Sequence, residues 1–164
     1  MLLRIIIASQ CLQVFKDGQC LSEYPVSTGL KGVGQLQGSG QTPLGKHRIR
    51  IKIGGDAPMG AVFVGRRQTG EIYTPALAAT HPQRDWILTR ILWLTGCERG
   101  LNRGGQVDTL RRYIYIHGTP DTEPMRIPRS HGCIRMRNQD IIKLFNQVEK
   151  GCCVEICRDI PHER

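Results

Sequence analysis

Hydrophobic positions recur with period two along most of the chain. The plainest case is residues 47–53, where Ile49, Ile51 and Ile53 alternate with Arg48, Arg50 and Lys52. This predicts a half-buried strand with its isoleucines on a core and its cations in water. Residues 5–15 read as strand, Asp17-Gly18 as a hairpin turn, and residues 19–25 as the returning strand. Residues 61–65 make a short strand. Residues 86–94 are strand rather than helix, given their β-branched and aromatic content and the Gly96 stop. Residues 112–117 alternate again, with Ile114 and Ile116 on one face and Tyr113, Tyr115 and His117 on the other. The period changes once. From Asn138, taken as the N-cap, Ile141, Ile142, Phe145 and Val148 form a helical apolar stripe that Gly151 ends, and residues 152–156 are a last strand. Residues 27–40, 42–45, 54–59, 71–85 and 100–105 are turns and irregular chain. The predicted class is mainly β or α+β, one domain over residues 1–164, with one clear C-terminal helix and no repeat or linker.

Composition bounds this picture. With 164 residues, 40% hydrophobic and 23% charged, the chain can bury one ordinary core; at 5% aromatic, aliphatic side chains must fill it. The net charge of +9 suits either a solvated basic surface or an anionic partner: nucleic acid, acidic lipid or a carboxylate-rich polymer. The pairs Arg66-Arg67 and Arg111-Arg112 carry no interleaved aromatics, so no nucleic-acid partner is expected. Residues 1–8 are apolar but short, contain Arg4 and lack a small-residue cleavage site, so they read as a strand rather than a secretory signal. No stretch approaches the ~18 apolar residues of a membrane span.

Seven cysteines form no C-x-x-C pair. Cys152, Cys153 and Cys157 with His162 match no standard zinc spacing, so no metal is expected and most cysteines are read as small apolar strand residues. The odd count without a signal leans towards a reducing compartment. Gly32-Val33-Gly34 lacks the rest of a dinucleotide fingerprint and the helix that should follow it, so it is discounted.

The chemistry concentrates in Ser130-His131-Gly132-Cys133-Ile134-Arg135-Met136 and, upstream, His117-Gly118-Thr119-Pro120. A cysteine nucleophile needs a base and a group to hold the developing oxyanion. Gly132 permits positive φ and a close approach of substrate. The successive N–H groups of His131, Gly132 and Cys133 can converge on an oxyanion. His117 ends a strand and so suits a general base, its far nitrogen fixed by the Gly118 carbonyl. His131 is as readily a loop residue bonded to the backbone as a direct participant. Ser130 is as readily a turn-forming hydroxyl as a substrate contact, and Arg135 is read as a carboxylate-binding group.

These residues, with Ile116-His117-Gly118-Thr119 before them, resemble the L,D-transpeptidase catalytic domain (the YkuD-type domain). The resemblance covers nearly the whole chain, with the strand–turn–strand opening, Thr42-Pro43-Leu44-Gly45 and the terminal helix and strand in the same order. It implies a mixed β-sheet sandwich acting on peptidoglycan stem peptides, hence a role in cell-wall biosynthesis and cell shape. By resemblance, Cys133 attacks the carbonyl of the third stem residue, usually diaminopimelate, and releases the terminal D-alanine. The acyl group then passes to a diaminopimelate side-chain amine as a 3→3 cross-link.

His117 is then the base, Gly118 orients it, and the backbone of residues 131–133 is the oxyanion hole. Ser130, Thr119 and Arg135 are substrate contacts. No cofactor or metal is implied, the chain is expected to be a monomer, and carbapenems are expected to acylate Cys133. Water as acceptor would make an L,D-carboxypeptidase; a lipoprotein lysine or a free D-amino acid would give anchoring or exchange. A non-catalytic wall-binding module is the reading from another class. Residues 54–60, 68–85 and 96–108 are the expected walls of the acceptor site. The substrate implies the cell envelope or periplasm; the absent signal implies the cytoplasm if the start is genuine.

Overall fold

A computed structural model describes residues 1–161. It contains ten strands: β1 (Leu2–Ile6), β2 (Cys11–Lys16), β3 (Gln19–Pro25), β4 (Gly45–Ile53), β5 (Ala61–Val64), β6 (Arg67–Ile72), β7 (Ile87–Gly96), β8 (Tyr115–Gly118), β9 (Ile134–Met136) and β10 (Cys153–Cys157). Two α-helices accompany them, α1 (Pro75–Thr80) and α2 (Asn138–Gln147). The strands form one mixed sheet in the order β3-β2-β1-β10-β4-β7-β5-β6, and β8 and β9 continue from the other edge of β7. β1–β10 and β8–β9 are parallel; the remaining pairs are antiparallel. No helix among the described residues is long and apolar enough to cross a membrane.

Side chains alternate across the sheet, so parity decides which residues meet. Leu3, Ile5, Leu12, Val14, Ile49, Leu92, Leu94, Val154 and Ile156 turn to one side and bury the apolar face of α2, with Ile141, Leu144 and Phe145. A smaller cluster on the other side gathers Ala57, Ala61, Phe63, Ile91 and Tyr115, with Trp93 and Cys133 packed against it. The site grows from this second cluster.

Several expectations change. Residues 5–15 are not one strand: the chain turns back between Ile6 and Cys11, so β1 and β2 pair antiparallel. The period-two pattern runs unbroken through that turn because Ile7 and Gln10 themselves pack and bond inward. In β4 the register shifts between Ile49 and Ile51, which turns Ile51 out to 38% exposure. Lys52 is drawn in instead: its Nζ donates to Phe145 O and Val148 O at 2.7 Å each, satisfying carbonyls at the end of α2.

Asn138 is not the N-cap; Arg137 occupies that position without a side-chain bond. The Asn138 amide is buried and joins three neighbours, donating to Thr119 O (2.9 Å) and Asp121 Oδ1 (3.2 Å) and accepting from Thr89 Oγ1 (2.5 Å). Three partners, two of them buried, outweigh one exposed cap bond. Leu144 completes the helix stripe, and residues 75–80 form α1, capped by Thr74 Oγ1 accepting from Leu77 N–H. Tyr113 precedes β8 in a turn, at φ 58° and largely exposed. Packing accounts for only some of the cysteines: Cys11 is buried, Cys133, Cys152 and Cys157 are half-buried, and Cys20, Cys97 and Cys153 are exposed.

Candidate active site

β8 and β9 lie parallel with His117 opposite Arg135 and Ile116 opposite Ile134. Alternation then sends Ile114, Ile116, Ile134 and Met136 into the main core. Tyr115, His117, Cys133 and Arg135 share the opposite face. Two short apolar strands, pinned by their isoleucines, thus set the base and the thiol on one surface.

His117 is enclosed, and its Nδ1 lies 2.5 Å from Gly118 O. With Nδ1–H donating there, the acceptor is Nε2, which no group among the described residues hydrogen-bonds. Burial holds the His117 proton affinity below that of a free imidazole, a fall that Gly118 O and Asp85 partly offset. Gly118 is required for space: a Cβ there would come 2.5 Å from Leu88 O and 2.6 Å from Asn138 Oδ1. The neighbours that exclude a side chain also hold the Gly118 peptide in place for the imidazole.

Cys133 Sγ donates to Tyr113 O at 3.4 Å and accepts from the Tyr115 N–H at 3.3 Å. Burial pushes the thiol up to about 12, the Tyr115 N–H and the Arg135 and Arg112 charges opposing. Thiol and imidazole share a face without bonding each other, and both rest neutral at pH 7. Such contacts commonly tighten only when substrate is bound.

The loop that presents Cys133 is held from within. Ser130 is buried; its Oγ donates to Cys133 O (2.5 Å) and accepts from Gly132 N–H (3.1 Å). Gly132 O accepts from Thr42 Oγ1 at 2.9 Å, and Gly132 adopts φ 119° with Gln41 O 3.0 Å from where a Cβ would stand. The structure therefore places Ser130 as the turn-forming hydroxyl. It also spends the Gly132 N–H inside the loop, leaving the His131 and Cys133 N–H groups without a partner among the described residues. Those two remain to meet an oxyanion.

Arg135 is nearly enclosed, and its guanidinium meets the protein's own carboxylates: Asp85 Oδ1 at 3.2 Å and Glu123 Oε2 at 3.7 Å. Asp85 Oδ2 also lies 3.3 Å from His131 Nδ1. Thr119 is buried; its N–H donates to Met136 O. Asp85, Trp86, Thr119, Glu123, His131 and Arg135 line a cleft of about 250 Å³. A larger open hollow of about 620 Å³, lined by Arg4, Phe15, Lys46, Arg48 and Cys153, lies on the β1–β10–β4 face and holds neither His117 nor Cys133. The smaller cleft runs beside the nucleophile loop, with His131 and Arg135 from either side of Cys133 in its wall.

The structure thus brings together Cys133, His117, Gly118, His131, Gly132, Thr119 and Arg135. The sequence does not announce the contacts that Asp85, the Tyr113 carbonyl, the Tyr115 N–H and the Thr42 hydroxyl make with the nucleophile loop, because no local signal ties any of them to Cys133. Arg112 is a further omission: it donates to Gly34 O, Gln35 O, Ser39 Oγ and Gln41 O, binding the glycine-rich loop beside Gly132. Of the expected walls, residues 68–85 supply Asp85. No group of three or more His, Cys, Asp or Glu among the described residues is placed to hold a metal, and His162 lies outside them.

The L,D-transpeptidase catalytic domain model matches residues 2–156. No curated protein matches by sequence. Among solved structures, the L,D-transpeptidase from Mycobacterium smegmatis is similar at 20% identity and TM-score 0.57, covering 94% of this chain and 57% of its own. L,D-transpeptidase 3 from Mycobacterium tuberculosis, solved with a faropenem-derived adduct, is similar at 16% identity and TM-score 0.57, over 96% of this chain and 60% of its own. An L,D-transpeptidase from Enterococcus faecium gives 17% identity and TM-score 0.56, over 94% and 48%. This chain therefore spans about half to three fifths of the length of these relatives, and at such identity they share its fold.

Proposed function

The chain belongs to the L,D-transpeptidase catalytic domain family, and from that premise we propose that it transfers the acyl group of a peptidoglycan tetrapeptide stem through Cys133 to a diaminopimelate amine. The observation that carries this is the shared face of Cys133 and His117, with the imidazole locked by Gly118 O so that Nε2 is the acceptor.

In this reading Nε2 takes the thiol proton as Sγ bonds to the carbonyl carbon of the third stem residue. The oxyanion meets the N–H groups of His131 and Cys133. Collapse breaks the C–N bond, and His117 returns the proton to the departing D-alanine amine. The acceptor amine then opens the thioester, its proton passes to His117, and the thiol is regenerated. Because both partners start neutral in a buried site, charge separates only as the bond forms. There the Tyr115 N–H and Arg112 favour the thiolate.

A diaminopimelate tetrapeptide incubated with the protein, with and without a second stem, tests the reaction by mass spectrometry. The expected products are free D-alanine and a cross-linked dimer. Tripeptide alone, even with the second stem present, would assign water as acceptor. No D-alanine release, together with no carbapenem adduct on Cys133, would leave the wall-binding reading.

A further inference from the structure

One carboxylate touches the nucleophile loop on both sides of Cys133. Asp85 Oδ2 lies 3.3 Å from His131 Nδ1, and Asp85 Oδ1 lies 3.2 Å from Arg135 NH2. His131 and Arg135 are the residues two before and two after the thiol. We propose that Asp85 is a positioning residue for acyl transfer, clamping residues 131–135 so that the His131 and Cys133 N–H groups stay aimed at the oxyanion. This rests on the acyl-transfer reading above.

Four observations support it. First, Ser130 and Thr42 tie down Gly132, but neither restrains the His131 side chain, which is 73% exposed and whose only ion-pair contact among the described residues is Asp85. Second, the base of the clamp is firm. Arg84 Nη1 donates to Glu71 Oε1 at 2.9 Å, and the Trp86 ring meets Tyr73 edge-on at 5.1 Å, so the residues flanking Asp85 are fastened to β6 and the segment after it. Third, the Arg135 guanidinium is held on its other nitrogen by Glu123, so it stays in place while Asp85 bridges to His131. Fourth, Asp85 favours the protonated form of His117, the form the base reaches on taking the thiol proton, and Arg135 disfavours it; on the thiol the two charges are reversed, Asp85 holding the proton and Arg135 favouring its loss. Without Asp85, the Arg135 charge would face the developing imidazolium less opposed. The charges that bear on the pair are Asp85 and Arg135 on both groups, and Arg112 on the thiol.

The test compares Asp85→Ala and Asp85→Glu with the wild type in three measurements. Acylation of Cys133 by a carbapenem builds an oxyanion; it is expected to slow roughly ten- to a hundredfold in Asp85→Ala, the scale of a misplacement near 1 Å, and to recover to within about fivefold in Asp85→Glu. Alkylation of the same thiol by iodoacetamide builds no oxyanion and is expected to change less than about twofold. Backbone amide order parameters of His131 and Cys133 need no substrate; from a rigid ~0.85 they are expected to fall towards ~0.6 in Asp85→Ala. In Asp85→Ala the acidic limb of the acylation profile should also move to lower pH.

Acylation of Asp85→Ala within twofold of wild type overturns the proposal. So does a parallel loss of alkylation, or order parameters that stay at the wild-type value. If the wild type itself takes no carbapenem, the acyl-transfer reading fails, and the order parameters still decide whether Asp85 clamps the loop.

Discussion

His117 Nδ1 sits 2.5 Å from the carbonyl oxygen of Gly118, the next residue in the chain. The contact makes Nδ1 the donor and Nε2 the acceptor, and burial makes the ring harder to protonate than in water. A base must be neutral to act, so depressing its proton affinity extends activity to lower pH. The thiol, at about 12, keeps its proton across the neutral range. Carbapenem acylation measured from about pH 4 to 10 should plateau from neutral pH upward, with its acidic limb below the ordinary histidine value of about 6.5. A limb centred at or above that value contradicts the assignment of His117 as the base.

Cys133→Ala is expected to abolish the covalent adduct, and His117→Asn to slow acylation by roughly 10²–10⁴. Intact-mass time courses measure both. Folding should survive the Cys133 change, because the half-buried thiol lies at the margin of the smaller cluster. An adduct on Cys133→Ala would place the nucleophile elsewhere.

Gly118→Ala should both destabilise and inactivate. The added Cβ meets Leu88 O, which cannot yield without shifting β7. A cost of roughly 1–3 kcal/mol, or more, is expected from urea unfolding. Wild-type stability in this variant would show that the backbone has more room there than the structure gives it.

His47 supplies a pH dependence away from the site. Its Nδ1 lies 3.0 Å from Gly45 O and its Nε2 2.9 Å from Thr109 Oγ1, and burial lowers it from 6.5 to about 4. The folded value lies below the unfolded one, so the unfolded chain binds the extra proton between the two. The stability is fully present above about pH 6.5 and is lost as pH falls towards 4, by about 3 kcal/mol. Denaturation midpoints for wild type and His47→Gln should converge at the acid end of that window. Equal slopes in the two proteins would exclude His47 as the source.

Asn138 distinguishes a buried junction from a helix cap. Aspartate serves a cap as well as asparagine does. Here Nδ2 must donate to Thr119 O and Asp121 Oδ1, so Asn138→Asp loses the donor and sets two carboxylates together. A loss of roughly 1–3 kcal/mol is expected by chemical denaturation, with a similar loss for Asn138→Ala. An aspartate variant as stable as wild type would restore the capping role.

Much of this protein was readable along the chain because its signals are local. Period two announced most of the strands, Asp17-Gly18 the β2–β3 hairpin, and the change of period at Asn138 the principal helix. The run from Ser130 to Met136 announced the cysteine chemistry, since the thiol, the glycine and the backbone donors lie within a few residues. Errors arose where local pattern and tertiary demand diverge. Ile51 keeps the alternation in sequence, yet a bulge turns it outward. Lys52 looks like a surface cation, yet the end of α2 needs a donor. Asn138 looks like a cap, yet buried Thr89 and Thr119, with Asp121, need its amide.

The sequence by itself determined the strand-rich class, the family and which thiol and imidazole are the candidates for the proposed chemistry, because period, turn chemistry and a contiguous motif are written between near neighbours. Only the tertiary structure decided what surrounds them. That Tyr113 O accepts a hydrogen bond from the thiol, that Ser130 spends the Gly132 N–H, and that Asp85 reaches both His131 and Arg135 depend on strand register and loop packing across tens of residues. A register is set by the whole sheet, and no single residue type announces the partner it will meet there.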